Sequence, residues 1–419
     1  MIRTLYCFLL TILSPILLFG LYRKRPNKPK FGKRWIEHFG FGEYLDYKQQ
    51  PLWIHTVSVG ETIAAIPFIR KLKEQEPNLP IVLTTTTSTG AEQAKKLGTL
   101  VTHRYMPIDF GWCIKNFLKR VRPCQLLIME TELWPNTLHT VHKASIPITV
   151  INARLSEKSH KNYSLFSSFF KQLSSNLSLI ICQQNSDKDR FLQLGIPEHK
   201  LTVVGSIKYD INITKEIIEQ ANQLRNQLGI SRPIWVAAST HKGEDEKILT
   251  AHKLICKHLK GALLILVPRH PERFDDVSTL CKKLNLITAR RTEGDMVTQQ
   301  TQVYLADTMG EMLPLIGCAD VCFMGGSLLG DKVGGHNILE PASLRKPIIT
   351  GPSYFNFSDI VNTLRDRGAC IITTEKELKN HVINLLSDSD YANKISGNAT
   401  CFIKTQQGAI QRTLDNIIL

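Results

Sequence analysis

The 419-residue sequence has no CxxC pair and no His/Cys spacing of the metal-binding kind. Its ten cysteines are scattered. The nearest two, Cys318 and Cys322, lie in an apolar run where Cys acts as a small hydrophobe. This argues against a disulfide framework and a zinc site, and fits a reducing compartment. No GxxxxGK[ST] loop occurs and no GxGxxG follows an early strand, so ATPase and dinucleotide readings have no basis. Repeats, low-complexity tracts and long Gly/Ser linkers are missing too. Charged residues make up only 21% against 43% hydrophobic, which excludes a disordered or fibrous chain and suits two domains with substantial cores.

The charge that is present is uneven. Fifty-two Lys and Arg against 37 Asp and Glu leave +15, and residues 1–34 hold eight basic residues and no acid. The rest is only mildly basic, so no nucleic-acid partner is expected. Between Arg3 and Arg23 runs LYCFLLTILSPILLFGL, Leu5 to Leu21, an uncharged stretch at the short end of what spans a hydrocarbon core. The basic RKRPNKPKFGKR after it belongs on the cytoplasmic side, beside anionic headgroups. Tyr22-Arg23-Lys24 is a poor cleavage site, so residues 1–22 read as a single-pass or monotopic membrane anchor rather than a removed signal peptide.

Short apolar runs then alternate with helical patterns, the pattern of βαβ units and parallel sheets. Strands are expected at Leu52–Val57, Ile81–Thr85, Leu126–Met129, Ile148–Asn152, Leu179–Gln183 and Leu201–Val204. A second set is expected at Ile234–Ala237, Ala262–Val267, Val303–Ala306, Val321–Met324 and Pro347–Ile349. A helical pattern over 210–230 separates the sets, and the stretch after Glu375 is helical and is expected to pack back across the halves. The expected α/β fold has two doubly wound, Rossmann-like domains, 23–210 and 211–419, facing a cleft. Ligands of such sheets bind beyond the carboxyl ends of the strands, so function is sought in the loops there.

Those loops carry polar residues. Ser58-Val59-Gly60-Glu61 follows the first strand, with Gly60 allowing a tight turn; Glu61 reads either as a first-turn acid complementing the helix dipole or as a general base. Thr89-x-x-Glu92 reads equally as a capping box or, with the hydroxyls before it and an open helix N-terminus, as a place to receive a phosphate. After the third strand, Glu130 is the better cleft candidate and Glu132 reads as helix-cap chemistry, with Pro135 opening a helix. Lys208 reads as surface solvation or as a basic group near the interdomain hinge. In the second half, Pro268-Arg269 presents a guanidinium suited to phosphate. Gly310-Glu311-Met312, Gly325-Gly326-Ser327 and Gly334-Gly335-His336-Asn337-Ile338-Leu339-Glu340 are Gly-rich strand–helix junctions. Asn337 and Glu340, three apart, are expected on one helical face, where a carboxylate can accept a ribose hydroxyl. Together these point to a nucleotide site. Asp388-Ser389-Asp390 reads as a helix cap rather than a metal-binding DxD.

Taken in order, SVGET, METELWPN, NARLS, GSIKYD, STHKGE, LVPRHPERF, DTMGE and GGHNILEPA resemble the 3-deoxy-D-manno-octulosonic acid (Kdo) transferases, across nearly the whole chain. The resemblance implies the two-domain GT-B architecture. It also implies transfer of Kdo from CMP-Kdo to the lipid A precursor, lipid IVA, at the cytoplasmic face of the inner membrane, without a metal or other cofactor. It places the base on Glu61, transition-state roles on Glu130 and Lys208, and CMP contacts on Pro268, Arg269, Gly310, Glu311, Met312, Asn337, Ile338, Leu339 and Glu340. Two other classes stand beside it: a GT-B enzyme using a UDP-sugar, and a basic membrane protein that binds anionic lipid or nucleic acid without catalysis.

Overall fold

Apolar runs with no polar alternation form strands buried on both faces, as parallel sheets require. In the computed structural model, which describes residues 2–23 and 29–417, the chain divides into two compact units. One is Met1–Asp210 with Gln406–Leu419; the other is Ile211–Thr405. Lys24, Arg25 and Lys28 of the basic stretch lie outside the described residues.

The first unit holds β1 (Leu52–Thr56), β2 (Ile81–Thr85), β3 (Thr102–Tyr105), β4 (Gln125–Met129), β5 (Ile148–Ala153), β6 (Leu179–Cys182) and β7 (Leu201–Val203). They form one parallel sheet in the order β3-β2-β1-β4-β5-β6-β7. Successive side chains point to opposite faces: Trp53, Leu126 and Ile128 enter one core, while Leu52, Ile54, Leu127 and Met129 enter another. The second unit holds β8 (Ile234–Thr240), β9 (Leu263–Pro268), β10 (Thr288–Arg290), β11 (Val303–Leu305), β12 (Val321–Met324), β13 (Ile348–Thr350) and β14 (Ile371–Ile372). Their order, again all parallel, is β10-β11-β9-β8-β12-β13-β14.

The expected α/β class with two doubly wound sheets is the one that forms, preceded by an apolar helix, α1 (Ile2–Tyr22). Three strands have no counterpart among the expected runs: β3, β10 and β14. All three lie at sheet edges, where burial is partial and a long apolar run is not needed. The tail is the other difference. Residues 406–419, expected in the second domain, group with the first unit. Asp210 accepts the backbone N–H groups of Gly408 and Ile410, each at 2.6 Å, and Ala409, Ile410 and Leu414 enter the core beside Phe68 and Leu72.

Candidate active site

Strand order reverses between β1 and β4 in the first unit and between β8 and β12 in the second, and loops diverge at such points to leave a crevice. The polar clusters stand there.

At the end of β1 the chain enters α2 (Val59–Gln75) through a reciprocal capping box. Ser58 accepts the Glu61 N–H at 3.2 Å, and the Glu61 carboxylate accepts the N–H groups of Val57 at 2.7 Å and Ser58 at 3.1 Å. The capping role of Glu61 is therefore real, and Gly60 lies inside the helix rather than in a turn. Yet Glu61 is only 6% exposed, and burial pushes its carboxyl pKa up. The two N–H bonds and Ser58 oppose that rise, and the charge of Glu130 adds to it.

Glu130, just past β4, adopts φ +59°, a left-handed conformation costly for a residue with a Cβ. Its carboxylate pairs with Lys208 Nζ at 3.0 Å. Asn152, at the end of β5 beside a register shift, is likewise left-handed at φ +53° and fully buried. Its Oδ1 accepts Ser206 Oγ at 3.3 Å and the Ile207 N–H at 3.2 Å, which holds the turn carrying Lys208. Glu132, expected to be a helix cap, is not one: Trp134 precedes the helix α3 (Pro135–Lys143), and Glu132 is a half-buried acid. Burial raises its pKa, as do the nearby charges of Glu61 and Glu130. Three carboxylates and one ammonium thus share the β1/β4 switch point. The expected capping box at Thr89 and Glu92 is displaced: Thr87 caps, accepting the Gly90 N–H at 3.0 Å, and Glu92 pairs with Lys95.

In the second unit, Glu244 is fully buried and its carboxylate accepts the N–H groups of Gly326 at 2.7 Å, Ser327 and Leu328 at 3.0 Å, and His241 at 3.3 Å. It thereby ties the loop after β8 to the Gly-rich loop after β12. A Cβ at Gly325 would fall 2.9 Å from the carbonyl oxygens of Ala238 and Ser239, so only glycine fits this approach. His241 and His336 stack at 5.0 Å with their Nε2 atoms 2.8 Å apart. Burial, and the charges of their basic neighbours including Arg269, hold both near a pKa of about 4. Pro268 ends β9, and Arg269 donates its N–H to Thr240 O at 3.0 Å while its side chain stays exposed.

Asn337 lies ahead of the helix Leu339–Ser343, not on its face with Glu340. Its Oδ1 accepts the Leu339 N–H at 3.1 Å, and its side chain also bonds Glu340. Burial raises the Glu340 pKa, against the pull of Asn337 and Arg269. Ile338 and Leu339 are buried. The structure therefore gathers Arg269, Asn337 and Glu340 with the histidine pair. Gly310, Glu311 and Met312 are held by other contacts. Gly310 is left-handed at φ +89°, and Arg291 grips both Glu311 oxygens at 2.6 and 2.7 Å, with Thr308 as a third partner. The Arg291 bond lowers the Glu311 pKa. Sequence reasoning misses Glu244 and Arg291, and marks Asn152 only as one of the polar residues just past an apolar strand. Glu244 sits inside STHKGE and Asn152 inside NARLS, but nothing along the chain signals their partners.

Residues 33–211 match the family described as 3-deoxy-D-manno-octulosonic-acid transferase (kdotransferase). The 3-deoxy-D-manno-octulosonic acid transferase of Haemophilus influenzae is 39% identical over 417 residues, which cover 99% of this chain and 97% of the relative. The C-terminal CMP-Kdo binding domain of WaaA from Acinetobacter baumannii is 39% identical, covering 46% of this chain and 99% of that one, with a TM-score of 0.44. A glycosyltransferase from Rickettsia africae, 15% identical, shares the fold at a TM-score of 0.53 over 88% of this chain and 98% of its own. With two doubly wound sheets and polar clusters at both switch points, and with that identity along its whole length, the chain belongs to the 3-deoxy-D-manno-octulosonic acid transferases, which are glycosyltransferases.

Proposed function

We propose that the enzyme moves Kdo from CMP-Kdo to a hydroxyl of lipid IVA in one inverting displacement, with Glu61 as general base. The observation that carries this is the state of Glu61: buried, raised in pKa, and fixed by two backbone N–H groups that each leave its oxygens a second lone pair. A raised carboxylate is a stronger base. It takes the acceptor proton as the acceptor oxygen bonds to the anomeric carbon, and the bond from that carbon to the CMP phosphate breaks with its electrons leaving on CMP. Attack opposite the leaving group inverts the centre. Lys208, positioned by Asn152 and paired with Glu130, offsets negative charge around Glu61 and supports the transition state.

The C-terminal unit binds CMP in this reading, through Arg269 on the phosphate, Glu340 and Asn337 on the ribose, and the backbone at Pro268, Gly310–Met312 and Ile338–Leu339. Fixed cations serve the phosphate, so turnover needs no divalent ion. The apolar helix α1 holds the enzyme on the cytoplasmic face of the inner membrane, next to an acceptor that cannot leave the bilayer. The test is Kdo transfer to lipid IVA by purified protein in EDTA with CMP-Kdo generated in situ, read by mass spectrometry, for wild type and Glu61→Gln. General-base removal is expected to cost roughly 10²–10⁴-fold in rate. Full activity in Glu61→Gln would remove Glu61 from the role.

A further inference from the structure

Resting on the membrane-bound reading above, the geometry points to a helix α1 that does not cross the bilayer but lies along the first unit, with its outer face in one leaflet. The anchor is bonded to the body at both ends. Near its start, Tyr6 OH donates to Asp109 at 2.9 Å, and Cys7 Sγ and the Asn136 side chain are in contact at 3.2–3.3 Å. At its end, Tyr22 OH meets His38 Nδ1 at 2.8 Å and its ring packs on Phe31. The two tyrosines are sixteen positions apart in the helix, about 24 Å along the axis. A spanning helix must carry one end across a hydrocarbon core of ~30 Å. Here both ends meet residues of the same domain, so neither can stand on the far side while these bonds hold.

The two faces of α1 agree. Leu10 is buried, and Arg3, Tyr6, Cys7, Ser14, Leu18 and Leu21 are partly covered, recurring every three or four residues along the whole helix. Arg3 and Ser14 on this inner stripe are poor lipid-facing residues. Opposite them, Leu5, Phe8, Ile12, Ile16 and Phe19 are each more than half exposed. The helix is tied at both ends to segments that carry an aromatic cluster. Trp35, whose carbonyl bonds Tyr22, packs on Phe39 at 5.8 Å, and Phe39 stacks on Trp112 at 6.0 Å, three residues past Asp109. Trp35 and Trp112 remain half exposed, with Lys33, Lys115 and Lys119 exposed nearby in sequence. Amphipathic rings with basic residues beside them suit the headgroup level of an anionic bilayer, and the helix above them suits the acyl boundary.

The full chain, carrying an epitope tag and a protease site ahead of Met1, separates the topologies in bacterial membranes. In inverted inner-membrane vesicles the tag is expected to be removed by added protease, and in spheroplasts it is expected to survive. Removal in spheroplasts with protection in inverted vesicles overturns the proposal while leaving the membrane-bound reading intact. A chain missing from the membrane fraction overturns both. In flotation with phosphatidylcholine–phosphatidylglycerol vesicles, Trp35→Ala/Trp112→Ala is expected to bind roughly tenfold more weakly. A detergent-stable dimer that fails to float would mean that a second copy covers this face, and would sink the idea.

Discussion

Lys208 Nζ lies 3.0 Å from Glu130 Oε1, although 78 positions separate the two residues in the chain. The pair holds one positive charge among three carboxylates, because Glu61 and Glu132 both feel the Glu130 charge. The Glu130 charge raises the pKa of both other carboxyls, and the same carboxylate carries the ion pair with Lys208.

Removing that ammonium is expected to move the acid limb of the pH–activity curve. In Lys208→Ala the loss of positive charge raises the Glu61 pKa further, so kcat/KM should begin to fall at a higher pH than in wild type and drop roughly 10²–10³-fold at its plateau. Lys208→Arg keeps the charge and should keep the limb in place. An unmoved limb in the alanine variant would deny the coupling.

Asn152 is expected to act through Lys208 rather than on substrate. Asn152→Ala removes two buried hydrogen bonds and leaves a left-handed Cβ residue without its local compensation, at about 1–3 kcal/mol of stability. The turnover number should fall with little change in KM for CMP-Kdo, checked by thermal unfolding alongside steady-state kinetics. Asn152→Gly relieves the strain but not the lost bonds, so it should recover stability more than activity.

Acidification should destabilise the chain through its buried histidines. His55 is fully buried beside Thr84, and His252 sits between Trp235 Nε1 and Gln302 O; burial lowers each pKa from 6.5 to about 4. Unfolding frees them to bind protons, so the stability they allow is present above pH ~6.5 and falls as pH drops toward 4. The loss approaches on the order of 3 kcal/mol for each. Urea unfolding midpoints at pH 7, 5.5 and 4.5 report it, and His252→Gln should flatten the slope.

Arg269 and Glu244 should separate binding from folding. Arg269 is exposed, so Arg269→Lys and Arg269→Ala are expected to weaken CMP binding about tenfold and a hundredfold with Tm unchanged. Glu244→Ala leaves four backbone donors unsatisfied in the interior and should lower Tm as well as CMP affinity. Calorimetry with CMP and with UMP measures both and tests nucleotide choice.

The α/β fold class follows from the chain's own pattern of apolar runs. Central strands buried on both faces need unbroken apolar runs, so β1, β4, β5, β8 and β12 are legible from composition alone, and loops after them are where polar residues stand out. Glu61, Glu130, Lys208, Arg269 and Glu340 were visible for that reason. Edge strands such as β3, with THRY, were not, because partial burial lets polar residues in. Relations between distant positions come instead from the folded chain. It decided that Glu244 grips the loop after β12, that Asn152 sets the Lys208 turn, and that the tail returns to Asp210. It also decided that both ends of α1 meet the same domain. A hydrogen bond depends on where two backbones are brought together, and no local pattern at either partner encodes the distance between them.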